Sequence, residues 1–472
     1  MVLSSLALFV LPLCSAPLPV VVDSSVPGVL RTVDARGRGD FTDLQSAIDA
    51  AAPGDVILIR SDLVLASTVV VNKGLTITSD REAALLTRDV KWNAALLRIE
   101  SIPSNETVAL RNVSFSFVQS FDGSLEQAMV EVRDAAGTVW IEDVHIEYTT
   151  TQNSFFPEQW SGLTLERCAS VVLIRVRAEP RSTFMGNPVF PNETGLRVTE
   201  SSVHAWECTF VGPGGGTLPG PFDGIGGGHG AELIDAFLFA EDCSFEGGFG
   251  STWCEGGCGE PTQAGGDGLR LDTTSQAVSV GCTFLGGQAG DVLGSFCPCL
   301  PGPDGEPVMP PGNLEELPVE PRSLELSWPV RVGRGATLLA RGRPGDLVFS
   351  LVSSAPYSVY VQAQAGSQVV ALPVTVIQEG VVSPTGTLVR TLPPNPHLPA
   401  GCWVPRYRQG LFLAADGAAY LGSASLELAL PSSFALGTVA ASPARSAASS
   451  QASSASTKPA SSRRANNWTG ND

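Results

Sequence analysis

Leu196-Arg197-Val198-Thr199-Glu200-Ser201-Ser202-Val203-His204-Ala205-Trp206-Glu207-Cys208-Thr209-Phe210 is one copy of a unit that recurs along the chain. Its opening triplet alternates apolar and polar positions. So do Leu97-Arg98-Ile99, Val130-Glu131-Val132, Leu163-Thr164-Leu165, Ala231-Glu232-Leu233 and Leu269-Arg270-Leu271. From Leu97 to Leu269, first positions are separated by 33, 33, 33, 35 and 38 residues. The closing triplet recurs as Val113-Ser114-Phe115, Val144-His145-Ile146, Val176-Arg177-Ala178, Cys243-Ser244-Phe245 and Cys282-Thr283-Phe284. Alternation with period 2 is the mark of a strand, and a recurring length makes each copy a unit that buries its apolar side only against its neighbours. The reading is a coil of parallel strands, each turn stacked about 4.8 Å above the last.

Stacking converts sequence positions into columns. One inward column reads Val113, Val144, Val176, Cys208, Cys243, Cys282, and the next reads Phe115, Ile146, Ala178, Phe210, Phe245, Phe284. The cysteines there count as small, inert hydrophobes. The outward columns are Arg98, Glu131, Thr164, Arg197, Glu232, Arg270 and Glu100, Arg133, Glu166, Thr199, Ile234, Asp272. Their alternating signs predict a salt-bridged outer face. Exposed pairs contribute only about 0.2–1 kcal/mol each, so their main effect is on register.

Upstream of the repeat, Phe41–Ala51 carries a helix signature, with Thr42 as N-cap, Gln45 at N3, and Leu44, Ala47, Ile48 and Ala51 on one face. Pro53-Gly54 ends it, and the strands Val56–Ile59, Val69–Val71 and Leu75–Ile77 follow. Such a helix suits the open end of a coil. The segment ending Ala52-Pro53-Gly54-Asp55-Val56, with the rungs ending Cys-Thr/Ser-Phe before glycine, resembles the pectin-lyase-like right-handed parallel β-helix superfamily over about residues 31–300. The resemblance implies the fold, which hosts many activities.

Composition fits an all-β chain: 472 residues carry 50 Gly, 35 Pro and only 16% charged residues. The net charge of −18 argues against nucleic acid or anionic membrane as partner. Residues 1–16 read as an export signal, with Cys14-Ser15-Ala16 as the cleavage site, and no apolar run is long enough to span a bilayer. The expected organisation is a coil over 31–300 and an extended Pro-rich linker over 301–327. A β-sandwich-like module over 328–431 and a disordered Ser/Ala-rich tail over 432–472 follow. Export places the protein outside the cell or on its surface.

The surplus length of each repeat falls in 147–162, 179–195, 211–230 and 246–268, which should stack on one side of the coil. Their aromatics, Trp160, Phe222 and Trp253 among them, suit the flat faces of sugar rings, and Arg270 lies beside them as a further substrate-binding candidate. Gly228-His229-Gly230 resembles the Gly-His-Gly motif of polygalacturonases, which makes Asp223, His229 and Asp267 the acid–base candidates. No Asp-Asp pair precedes His229 and no Arg-x-Lys follows it. A lyase would add a calcium ion; otherwise no cofactor or metal is expected. Cys254, Cys258, Cys297 and Cys299 form two disulfides in an oxidising exterior, or a zinc site. Two functions compete: an extracellular polysaccharide-directed protein that binds glycan along the loop-lined side of the coil, with cleavage by hydrolysis or elimination left open, and a non-catalytic adhesion, structural or display protein.

Overall fold

The computed structural model describes residues 28–81, 83–88, 95–117, 127–149, 160–181, 194–215, 226–250, 262–290, 300, 302–331, 333–393 and 403–430. Within it the repeat forms a parallel β-helix. The opening triplets lie in eight parallel strands that pair in chain order from Val69–Val71 to Val308–Met309. Register matches the columns read from the sequence: Leu97 pairs with Val130, Val130 with Leu163, Leu163 with Leu196, Leu196 with Ala231 and Ala231 with Leu269. Both inward columns are buried, only Cys282 and Phe284 at the last rungs being partly exposed, and they belong to one core running from Val33 to Ala277. Burial of each large side chain there contributes about 1.5–3 kcal/mol.

The outer face carries the expected ion pairs. Arg98 Nε meets Glu131 Oε2 at 2.6 Å, Arg133 Nη2 meets Glu100 Oε2 at 2.6 Å, and Arg197 Nε meets Glu232 Oε2 at 3.6 Å. Two corner columns turn the chain within each rung. Ser101, Asp134, Arg167, Glu200 and Asp235 form one; Asn112, Asp143, Arg175, Glu207 and Asp242 form the other, all with φ between +47° and +57°. This left-handed conformation is uncommon outside glycine, and Asp and Asn tolerate it best. Corner amides bond to the next rung, as Glu207 N–H does to the Glu241 carbonyl at 2.9 Å.

Between the corners runs a strand that the alternation did not mark, from Thr138–Glu142 through Ser170–Ile174, Ser202–Trp206 and Phe237–Glu241 to Gln276–Val280. Both its faces are buried, so it reads as a nearly continuous apolar run. Its outward side chains, Trp140, Val172, Trp206, Phe239, Val278 and Val280, pack against Leu351, Val369, Val370, Tyr407, Leu421 and Leu426. The C-terminal antiparallel strands therefore lie on the coil as part of one compact unit. Turns at Gly345 and Gly417, with φ +94° and +88°, join their apolar runs.

Two expectations are corrected. Asp43, not Thr42, is the N-cap: its Oδ1 accepts from Ser46 N–H at 2.8 Å, and the helix is Leu44–Ala50, with Leu44, Ala47 and Ile48 buried in the coil core. The Pro-rich segment is not a free linker throughout. Val308–Met309 pairs with Leu269–Arg270, and Leu314–Leu317 pairs with Ala277–Val280, because an open coil edge offers the unpaired backbone groups these residues need.

His204 sits where coil and C-terminal strands meet, its Nδ1 2.7 Å from Ser367 Oγ, and burial pushes its pKa down to about 3. The folded protein thus refuses a proton that the unfolded chain accepts near pH 6.5. Stability from this site is complete above about pH 6.5 and is lost as the pH falls toward 3. Urea unfolding across that window should show the decline in the wild type and a flatter profile in His204→Gln.

Candidate functional site

Glycine sets the geometry around the candidate residues. The described ends of the long connections interlock through backbone hydrogen bonds of 2.8 Å: Gly228 N–H to Pro213 O, Gly248 to Gly228, Gly266 to Gly248, Gly287 to Gly266 and Gly305 to Gly287. Successive segments approach so closely that a Cβ on Gly227, Gly248, Gly265, Gly266 or Gly287 would stand 1.9 Å from a neighbouring carbonyl oxygen. The glycines of the Gly-His-Gly motif belong to this stack: Gly228 bonds within it, and a Cβ on Gly230 would meet Glu246 N and Gly268 O at 2.6 Å. Close approach explains the two glycines of that motif.

The stack delivers His229 and Asp267 to the starts of neighbouring strands. Asp267 N and its carboxylate lie 2.9 and 3.4 Å from His229 Nδ1, and Arg270 Nη1 lies 2.9 Å from His229 Nε2. Three residues singled out from the sequence are thereby brought together. A neutral imidazole has one acceptor nitrogen, so the ring accepts from one of these two N–H groups and carries its proton on the other nitrogen. Burial first, with the Arg270 charge, holds the His229 pKa below its ordinary value against the pull of Asp267. The ring is held between Asp267 and Arg270. Asp267 Oδ1 accepts from Glu306 N–H at 2.9 Å, which fixes the carboxylate as well. Arg270 is exposed and keeps further guanidinium donors.

Glu232 stands one rung before Arg270 but is paired with Arg197, while the partner of Arg270 is His229. Among the described residues, no group of three or more His, Cys, Asp and Glu is placed to hold a metal ion. Asp134, Asp143, Asp235 and Asp242 serve as left-handed corner residues, and Asp272 caps Ser275 N–H at 2.7 Å. Cys168 is buried and free, its thiol pushed up to about 11 by burial. Asp223, Phe222, Trp253, Cys254, Cys258, Cys297, Cys299 and the Trp160 side chain lie outside the described residues. Phe249, one of the connection aromatics, is 59% exposed and covers Gly214.

Comparison with protein-family models and with curated proteins gives no match. Among solved structures, the enzymatically active domain of tailspike protein 2 of bacteriophage CBA120 aligns over 80% of this chain and 73% of that one, at 12% identity and a TM-score of 0.26. The glycine stack makes its own prediction. Gly266→Ala should lower stability by about 1–3 kcal/mol, as overpacking does. Gly312→Ala, whose Cβ would meet nothing within 4 Å, should leave the melting temperature unchanged.

Proposed function

We propose that the protein is secreted and binds extracellular glycan along the outer face of the eight-stranded sheet. In this reading the coil is right-handed and pectin-lyase-like, the helix Leu44–Ala50 caps it, and the C-terminal strands form a sandwich module. The observation that carries the proposal is the convergence of His229, Asp267 and exposed Arg270 at the edge of a face whose columns alternate guanidinium and carboxylate. Such a face repeats donors and acceptors at the rung spacing of about 4.8 Å, which suits a run of sugar hydroxyls. Net charge favours neutral glycans over acidic ones.

Binding fits this cluster better than cleavage. Glycoside hydrolysis needs one carboxyl group to deliver a proton and another to act as base or nucleophile. Here Asp267 Oδ1 is held by the Glu306 amide, and Glu232 lies 3.6 Å from the Arg197 guanidinium.

The test presents neutral and acidic polysaccharides, with and without calcium, to the full-length protein. Neutral glycan should be retained in affinity electrophoresis, at least about tenfold more weakly by Arg270→Ala, and no new reducing ends should form. Failure to retain any polymer would contradict the proposal. New reducing ends that vanish in Asp267→Asn would replace binding by hydrolysis, and unsaturated ends dependent on calcium would replace it by elimination.

A further inference from the structure

A second site forms at another corner of the coil, where the C-terminal strands meet it. Two stacked columns make its floor. The corner residues Asp143, Arg175, Glu207 and Asp242 form the first. Arg177, Thr209, Ser244 and Thr283, paired in register on successive rungs, form the second. They line a cleft of about 560 Å³, within the ~300–1,000 Å³ range of small-ligand sites. Glu207 and Asp242 also line an adjoining recess of about 260 Å³, walled from the C-terminal side by Glu320, Arg322 and Arg341.

Polar groups here lack partners. Arg322, 2% exposed, uses its other nitrogens on Asp346 and the Glu320 carbonyl, but its Nη2 is buried with no hydrogen bond. Arg175 Nη1 is in the same condition. Buried donors without partners cost about 1–3 kcal/mol each; both atoms are closed to solvent, and the guanidinium donors open to the cleft and the recess are those of Arg177 and Arg341. On the acceptor side, Glu207 is held loosely, by Ser423 Oγ at 3.5 Å and Arg341 Nη1 at 3.8 Å. Burial holds its carboxyl above the usual carboxylate range. The sequence carried a trace of this site in the acidic residue before two of the column cysteines, Glu207-Cys208 and Asp242-Cys243.

Charge selects the ligand class. A lone cation would face Arg175, Arg177 and Arg341, and a lone anion would face Glu207, Asp242 and Asp143. A neutral molecule rich in hydroxyl groups meets both kinds of wall: its oxygens accept from the guanidinium groups and its O–H groups donate to the carboxylates. We infer that this seam cleft is a binding site for a short neutral saccharide, separate from the outer face of the eight-stranded sheet.

Isothermal titration of the full-length protein tests this with maltotriose, cellotriose and xylotriose, and with calcium chloride and inorganic phosphate as charged probes. At least one trisaccharide should bind saturably. Thr283→Trp, which fills the cleft from an exposed position, and the isosteric Glu207→Gln should each weaken binding at least about tenfold, with melting temperatures near the wild-type value. Arg270→Ala should leave this binding intact, whatever its effect on polysaccharide retention. The inference is overturned if no trisaccharide binds, if binding survives both cleft variants, if Arg270→Ala abolishes it, or if calcium or phosphate binds where the trisaccharides do not.

Discussion

Parallel strands stacked in register bring each residue against its counterpart one rung away. That constraint governs every column of this molecule. Apolar columns become a continuous core from Val33 to Ala277. The charged columns of the outer face set opposite signs against each other, as Arg98, Glu131 and Glu100, Arg133 do, because like charges stacked at about 4.8 Å repel. Where connecting segments interlock, the approach leaves room for glycine and little else.

The same constraint produces the face that holds the C-terminal strands. Apolar side chains projecting outward from one strand project outward from all of them, giving a stripe no coil leaves in water. Within it lies a buried charge cluster. Glu142, fully buried, accepts from Arg175 Nη2 at 2.7 Å, Trp140 Nε1 at 3.0 Å, and, from the C-terminal strands, Ser425 Oγ and Leu426 N–H at 2.7 Å each. Arg111, also buried, meets Glu142 and Asp143 at 3.1 Å and stacks over the Trp328 ring at 4.2 Å. A buried carboxylate with this many donors is specific about what covers it, since any shift of Leu426 leaves a charge unsatisfied. The recess adjoining the seam cleft takes one wall from C-terminal residues.

The coil was legible because alternation and a recurring length are one-dimensional signals. Arg197 and Glu232 lie 35 residues apart in sequence and meet as predicted. The strand between the corners was not legible by that rule. Val171-Val172-Leu173-Ile174 shows no alternation, because Val171 and Leu173 face the coil core while Val172 and Ile174 face the C-terminal strands. Read as an outward column, Trp140, Val172, Trp206 and Phe239 would have announced a covering partner. In the outer-face cluster, His229 and Arg270 were visible as residue types. Their contact was not, because the repeat lengthens from 33 to 38 residues there and the glycine stack sets the offset. The recess beside the seam cleft depends on C-terminal residues, Glu320, Arg322 and Arg341, that no repeat encodes.

The most direct test of this account is calorimetry of the wild type beside Glu142→Leu. Coil and C-terminal strands built as one unit should melt in a single transition. The variant, which leaves Arg111, Leu426 N–H and Ser425 without their common partner, should lose about 3–5 kcal/mol of stability. Two separate transitions in the wild type, or a Glu142→Leu melt indistinguishable from it, would contradict the claim that a buried ionic contact fixes the C-terminal strands on the coil.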